Sequence, residues 1–265
     1  MHYEKVTNIE DRIWADQMLK KGYYILYEPE ASVYHYHGIN QNNDNQRLNN
    51  IVKIIQDKQA DFKSGKLDAS NIEIAAIIPI KGKLKKIKDN YLINYTIDSA
   101  KKSKFINKII ISTDDVETAE IISTLGAECP FIRPEKLSNP LINLEKVQEY
   151  SLKELERNGY FPDLVFHLEE TFPFRDKGML DKMILHLLDS GYDSVIAAKP
   201  ENGWLWKEKN DGVISRIDQG DIPRAFKNQT YIGLHGLGCL TYSEYIRKGS
   251  LLGPNIGLYK IKNLI

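Results

Sequence analysis

The sequence predicts an α/β domain, a mostly parallel sheet with helices on both faces. Three observations carry that expectation. Short apolar runs at 74–78, 107–112, 164–168 and 194–198 have the length and the β-branched content of buried strands. Stretches of helical spacing lie between them at 116–125, 144–157 and 177–189. Gly126 directly follows the first of these stretches, as a helix C-cap does, and the last stops at Gly191. Strands alternating with helices call for right-handed crossovers and a sheet covered on both sides.

Upstream of that domain, Ile9, Ile13, Met18 and Leu19 predict a short helix that stops at Gly22. Residues 24–27 and 32–36 read as two short strands around the turn Glu28-Pro29-Glu30. Residues 1–41 thus predict a small α+β appendage, too small to bury a core alone. Residues 42–70 are polar at both ends, and Leu48, Ile51, Val52, Ile54 and Ile55 predict one helix inside a linker. The main domain is expected over 71–265.

In such a sheet, ligands bind at the carboxyl ends of the strands, so the loops there hold the candidate site. The first strand is expected to end at Pro79. Its loop carries Gly82 and the lysines Lys81, Lys83, Lys85, Lys86 and Lys88, with helical spacing resuming at Tyr91, Leu92, Tyr95 and Ile97. Helix-end N–H groups and ammonium charges together suit a phosphate, although a solvated surface loop has the same composition. The second loop, Ser112-Thr113-Asp114-Asp115, reads first as a helix N-cap. The run at 164–168 leads into Glu169 and Glu170, acceptor-only side chains that suit either ion pairing or a cation.

Composition removes some classes of function. Lys and Arg together number 36, as do Asp and Glu, so no overall charge draws the chain to nucleic acid or an anionic membrane. Cys129 and Cys239 form no zinc spacing and no disulfide framework, which predicts a reducing, cytoplasmic setting. Residues 1–11 are polar, so no signal peptide is expected there, and no apolar run is long enough for a membrane span.

Several motifs resemble a known family. Residues 77–90, IIPIKGKLKKIKDN, resemble the I-I-P-A-R-G-G-S-K-R-I-P-x-K-N motif of the cytidylyltransferases that activate sialic and related ulosonic acids. Lys81 stands for its Arg, Lys83 for its second Gly and Leu84 for its Ser. The S-T-D-D at 112–115, the F-I-R-P at 131–134 and LEETFPFR at 168–175, similar to L-Q-P-T-S-P-L-R, follow in order. QGDIPRAF at 219–226 and LHGLGCLT at 234–241 resemble R-Q-D-L-P-x-x-F/Y and N-G-A-I-Y.

This resemblance covers about 72–261 and implies a Rossmann-like nucleotidyltransferase fold of the GT-A type. It implies transfer of CMP from CTP to an acidic 2-keto sugar, with pyrophosphate released. Lys81 and Lys85 would be catalytic and, with Gly82, Lys86, Asn90 and Arg133, would hold the nucleotide. Thr171, Arg175, Gln219, His235 and Gly236 would receive the sugar. His235 reads as a pocket-lining donor, because no carboxylate stands beside it in sequence. Mg²⁺ is expected by the resemblance, with Glu169 or Glu170 as ligand in place of a D-x-D that the chain ends before reaching; the other reading makes that pair solvent-facing. An arm near 200–222, with Trp204 and Trp206, would serve packing or a homodimer contact. The degraded motifs also admit a nucleotide-binding protein without catalysis.

Residues 8–41 resemble the C-terminal part of a family 2 glycosyltransferase catalytic domain: Glu10-Asp11, Trp14-Ala15, Leu19, Gly22-Tyr23, Tyr27, Pro29, Ala31, His35 and His37 keep its order. Asp11 would be its base. The nucleotide-binding half of such an enzyme would precede this point, so the stretch is expected to be a remnant, or half of a pair with a separate glycosyltransferase.

Overall fold

The computed structural model describes residues 10–23, 69–218, 220–223 and 226–261. The chain divides into two compact units, Met1–Lys66 and Leu67–Ile265. In the first, helix α1 spans Glu10–Lys20, and the chain turns at Gly22 with φ of 82°. Asp11 falls within α1. Its side chain, His35, His37, the strands expected at 24–36 and the linker helix lie outside the described residues.

The second unit is a seven-stranded sheet in the order β11-β6-β10-β5-β1-β4, with β9 (Thr230–Gly233) paired to β6. Its strands are β1 Ile74–Ile80, β4 Lys108–Thr113, β5 Leu164–His167, β6 Ser194–Glu201, β10 Cys239–Tyr242 and β11 Ile256–Lys260. β1, β4 and β5 pair in parallel, as do β6 and β11, while β10 runs antiparallel between β5 and β6. The expected parallel sheet is present, while β9, β10 and β11 were not announced by the apolar runs, and β9 and β10 run antiparallel to β6.

Helices cover both faces. On one, α2 (Leu92–Lys101), α3 (Val116–Thr124) and α5 (Met179–Ser190) bury Ile93, Ile97, Ile122, Met183 and Leu187 against Ile74, Ile78, Ile111 and Phe166. On the other, α4 (Leu144–Arg157) and α6 (Ser243–Arg247) bury Leu152, Leu155 and Ile246 against Ala75, Ile77, Ile110 and Val165. Alternation along β1 feeds both cores, as expected of a central strand with no solvent face.

Pro79 does not end β1. It lies inside the strand opposite Ser112 of β4. Ile77 offers its carbonyl to Leu168 on the β5 side, so Pro79, two residues on, has its missing N–H turned the same way. β5 has ended by then, and no ladder bond is lost. Further on, the extended stretch 128–132 touches β4 only through isolated bridges, Ile110 with Glu128 and Thr113 with Ile132.

Asp115 caps α3, its carboxylate accepting from the Thr118 amide at 2.9 Å. Asp115→Ala should lower stability by about 1 kcal/mol. A urea midpoint unchanged from the wild type would show that the cap contributes nothing here.

Candidate active site

The lysine loop is built rather than loose. Gly82, at φ of 64°, donates its amide to Asp114 Oδ1 at 2.8 Å, and its carbonyl accepts from Thr118 Oγ1 at 3.1 Å. Lys83 pairs with Glu117 at 3.0 Å. Hydrogen bonds from Ser138 and Gly82 keep the Asp114 carboxyl below its ordinary range, although partial burial pushes the other way. The S-T-D-D segment therefore serves twice: Asp115 caps α3, and Asp114 fixes the loop.

Beyond Gly82 the loop folds into a small hairpin that the sequence did not predict, β2 (Lys86–Ile87) against β3 (Asn90–Tyr91). Asn90 is exposed on it, beside the start of α2. Lys86 lies over the Tyr91 ring at 4.8 Å, and Lys85 faces Glu170 at 3.6 Å. Lys81, Lys85 and Lys86 are all exposed, so their charges are available to a ligand at the carboxyl edge of β1 and β4.

The two arginines are committed elsewhere. Arg133, only 3% exposed, donates Nη1 to the Ser112 carbonyl (2.6 Å), Nη2 to that of Ile80 (2.9 Å), and Nε and Nη2 to Ser138 Oγ. It ties the ends of β1 and β4 together. Arg175 places every N–H of its guanidinium inside the protein: Nε on the Leu237 carbonyl (2.8 Å), Nη1 on Phe172 O (2.7 Å) and Thr96 Oγ1 (3.0 Å), Nη2 on Gly236 O (2.9 Å) and Glu169 O (3.2 Å). Burial brings its pKa down to about 10. Arg133 and Arg175 thus hold the loops that carry the site, their N–H donors met by protein acceptors.

What Arg175 clamps is a cluster that sequence reading missed in part. His167 is the last residue of β5 and Glu169 lies two residues on, so both project to one side of the sheet. Because β10 is antiparallel, with Cys239 opposite His167, the loop before β10 reaches the same edge and delivers His235. Glu169 Oε1 stands 3.2 Å from Nε2 of His167 and 3.2 Å from Nε2 of His235, and the two rings stack at 5.7 Å. His235 therefore has the carboxylate partner that its sequence neighbours lack. Glu169 Oε2 accepts from Thr171 Oγ1 at 2.9 Å.

Burial holds the His167 pKa below its ordinary value and so favours the neutral ring. Gln148 Nε2 of α4 meets His167 Nδ1 at 2.7 Å, and with the amide in this orientation Nε2–H donates to Glu169. That hydrogen bond is the largest cause of a Glu169 pKa near 2. Gly236 is required for space: a Cβ there would lie 2.6 Å from the Glu169 carboxyl and 2.7 Å from the Phe172 ring.

The two glutamates expected as alternative metal ligands diverge. Glu169 joins the histidines, while Glu170 turns to Lys85, and its Oε2 is buried without a hydrogen-bond partner among the described residues. Burial raises the Glu170 pKa against the pull of Lys85. Among the described residues, the cluster of possible ligands that includes Glu169 joins it to two histidines and not to Glu170.

The arm is a hairpin of β7 (Trp206–Glu208) and β8 (Ile214–Arg216), turned at Gly212 with φ of 78°. Trp204 and Trp206 are both exposed, and Arg216 lies over the Trp204 ring at 4.6 Å. A cleft of about 860 Å³ beside the arm is lined by Trp204, Arg216, Asp218 and Lys227 and shares no residue with the histidine cluster. Gln219 lies outside the described residues.

The model of a family described as cytidylyltransferase matches residues 79–214, just over half of the chain. The chain belongs to the cytidylyltransferase family.

Among cytidylyltransferases of known name it is similar to pseudaminic acid cytidylyltransferase of Campylobacter jejuni, 30% identical over 112 residues, covering 39% of this chain and 48% of that one. It is 28% identical over 112 residues to CMP-N,N'-diacetyllegionaminic acid synthase of Legionella pneumophila, again over 39% of this chain and 48% of the relative. The chain thus spans about half the length of these relatives. Post-translational flagellin modification protein B of Campylobacter coli is 27% identical over 188 residues, 66% of this chain and 77% of that protein. A structure of CMP:2-keto-3-deoxy-manno-octonic acid synthetase complexed with CTP shares the fold, with a TM-score of 0.54, 11% identity, and coverage of 71% of this chain and 90% of that one. So does 4-diphosphocytidyl-2C-methyl-D-erythritol synthase of Anaerococcus prevotii, with a TM-score of 0.54, 15% identity, and coverage of 74% and 90%. No described helix of this cytidylyltransferase is long and apolar enough to cross a membrane.

Proposed function

We propose that the chain transfers CMP from CTP to an acidic 2-keto sugar and releases pyrophosphate, supplying an activated sugar for surface glycans. The observation that carries this reading is the lysine loop, fixed through Gly82 to Asp114 and Thr118 at the carboxyl edge of the sheet. Exposed Lys81, Lys85 and Lys86 spread positive charge where a triphosphate would lie, and Asn90 stands beside them for the nucleotide. The names of the pseudaminic and legionaminic relatives support an ulosonic acid as acceptor.

In the reaction, the anomeric hydroxyl oxygen of the sugar bonds to the α-phosphorus. The bond from that phosphorus to the bridging oxygen breaks, pyrophosphate departs, and the hydroxyl proton passes to solvent. Lys81 and Lys85 stabilise the charge that gathers on the phosphoryl oxygens. Thr171, His235 and Gly236 border the acceptor side, while Arg133 and Arg175 act as positioning residues. A divalent cation accompanying the triphosphate is expected from the resemblance, and no step here is assigned to it. Exposed Trp204, Trp206 and Ile214 on the arm fit the homodimer contact that the resemblance implies.

The test is pyrophosphate release from the full chain with CTP, a divalent cation and a panel of ulosonic acids. Release with at least one acid is expected, falling about tenfold in Lys85→Ala through loss of one charge-assisted contact. CTP binding without release for any acid would sink the transferase reading and leave a nucleotide-binding protein.

A further inference from the structure

The donor set at the carboxyl edge of β5 does not suit Mg²⁺ but suits another class of ion. We propose that His167 Nε2, His235 Nε2 and the Glu169 carboxylate form a binding site for a borderline divalent transition ion, of which Zn²⁺ is the type. The three ligand atoms lie within 4.8 Å of one another. Two imidazole nitrogens with one carboxylate is a set that selects such ions over Mg²⁺ or Ca²⁺.

The two distances to Glu169 suit a metal as well as they suit hydrogen bonds. Both nitrogens stand 3.2 Å from Glu169 Oε1. That is at the long end for N–H···O bonds, whose usual length is about 2.9 Å. It is close to the edge of a tetrahedron, about 3.3 Å, around an ion with bonds of about 2.0 Å.

The surroundings supply a second, independent observation. A ligating histidine hands its other ring N–H to an acceptor, which fixes the tautomer. His167 Nδ1 meets the fully buried Gln148 amide at 2.7 Å, and Gln148 Oε1 is a buried oxygen without a partner among the described residues. Turning that amide over puts Oε1 on Nδ1–H and frees the Nε2 lone pair toward the cluster. The two ends of an amide have nearly the same shape, so the turn needs no repacking. On the other side the His235 side chain is 54% exposed, which leaves coordination positions facing solvent. An open position is what a substrate carboxylate or hydroxyl requires. The site does not depend on the transferase reading, since ion binding is measured on the chain alone.

Co²⁺ replaces Zn²⁺ and reports its coordination through visible absorption. Titrating the full chain with Co²⁺ should give a saturable d–d band, displaced by Zn²⁺ and untouched by a large excess of Mg²⁺. In His235→Ala, a change at a half-exposed position that leaves the core intact, affinity should fall more than tenfold. The difference between the two titrations isolates this site from the chain's other histidines. Gln148→Leu should weaken binding about ten- to a hundredfold, as loss of a ligand's supporting hydrogen bond does. Superimposable titrations of wild type and His235→Ala would overturn the proposal and leave a hydrogen-bonded histidine–glutamate–histidine trio. Displacement of Co²⁺ by Mg²⁺ as readily as by Zn²⁺ would overturn it equally.

Discussion

Arg175→Met is expected to lower the free energy of unfolding by about 3–5 kcal/mol, the scale seen when one partner of a buried charged network is removed. Methionine fills the volume and offers no donor. The carbonyls of Leu237 and Phe172 would each lose the Arg175 hydrogen bond at 2.8 and 2.7 Å, that of Gly236 would lose one of two, and that of Glu169 one of three. A buried acceptor left without a donor costs about 1–3 kcal/mol, so several together reach the stated range. Arg175→Lys should recover little, because an ammonium is a point donor and cannot address carbonyls on both loops from one plane. Urea denaturation followed by circular dichroism measures this. A loss below about 1 kcal/mol for Arg175→Met would mean that the loops hold together without the clamp.

Gly236→Ala tests the site itself. Its added methyl would fall 2.6 Å from the Glu169 carboxyl and 2.7 Å from the Phe172 ring, closer than van der Waals contact allows. Glu169 has to swing away, and with it go the hydrogen bonds to His167 and Thr171 and the contact with His235. Displacing a site group by about 1 Å can cost on the order of a hundredfold in rate, and pyrophosphate release should fall by that much. Stability should fall by only about 1–3 kcal/mol, the usual cost of overpacking. A variant with wild-type release would show that the position of Glu169 is irrelevant to the reaction.

How far the sequence could be read depends on where each signal resides. β1, β4, β5 and β6 were legible because burial on both faces forces continuous apolar runs, and α4 because Val147, Leu152 and Leu155 recur at helical spacing. β10 was not, since CLTY is short, follows Gly236 and Gly238, and takes its direction from neighbours far away in sequence. The hairpin of β2 and β3 has two residues per strand, too few for any period to register. Pro79 misled because proline excludes a strand only where its N–H would have been used, and that depends on where β5 stops.

The site divides along the same line. Lysines, S-T-D-D and the 168–175 motif could be located from local order, but the roles of the arginines could not. Whether a guanidinium faces a ligand or a carbonyl depends on Leu237 and Gly236 for Arg175, and on Ile80 and Ser112 for Arg133. His167 went unnoticed inside a buried strand, although the H-x-E of His167 and Glu169 was visible as two polar residues on one side of an apolar run. Its partners Gln148 and His235 come from other elements and carry no mark of it in sequence.

The reversed strand β10 also sets the order in which the molecule can assemble. β1, β4 and β5 can pair as soon as residues up to 167 have been made, because each connection between them is completed by then. The edge of β5 that β10 covers stays open until residues 239–242 arrive, and β6 has nothing to join it to β5 before that. Pairing across that sequence distance is slow, since a long loop must be closed before any contact rewards it. The histidine cluster and the Arg175 clamp both straddle this seam, so a nascent chain carries its lysine loop well before it has either of them. During that interval the unpaired edge of β5 is open to a stray strand from another chain.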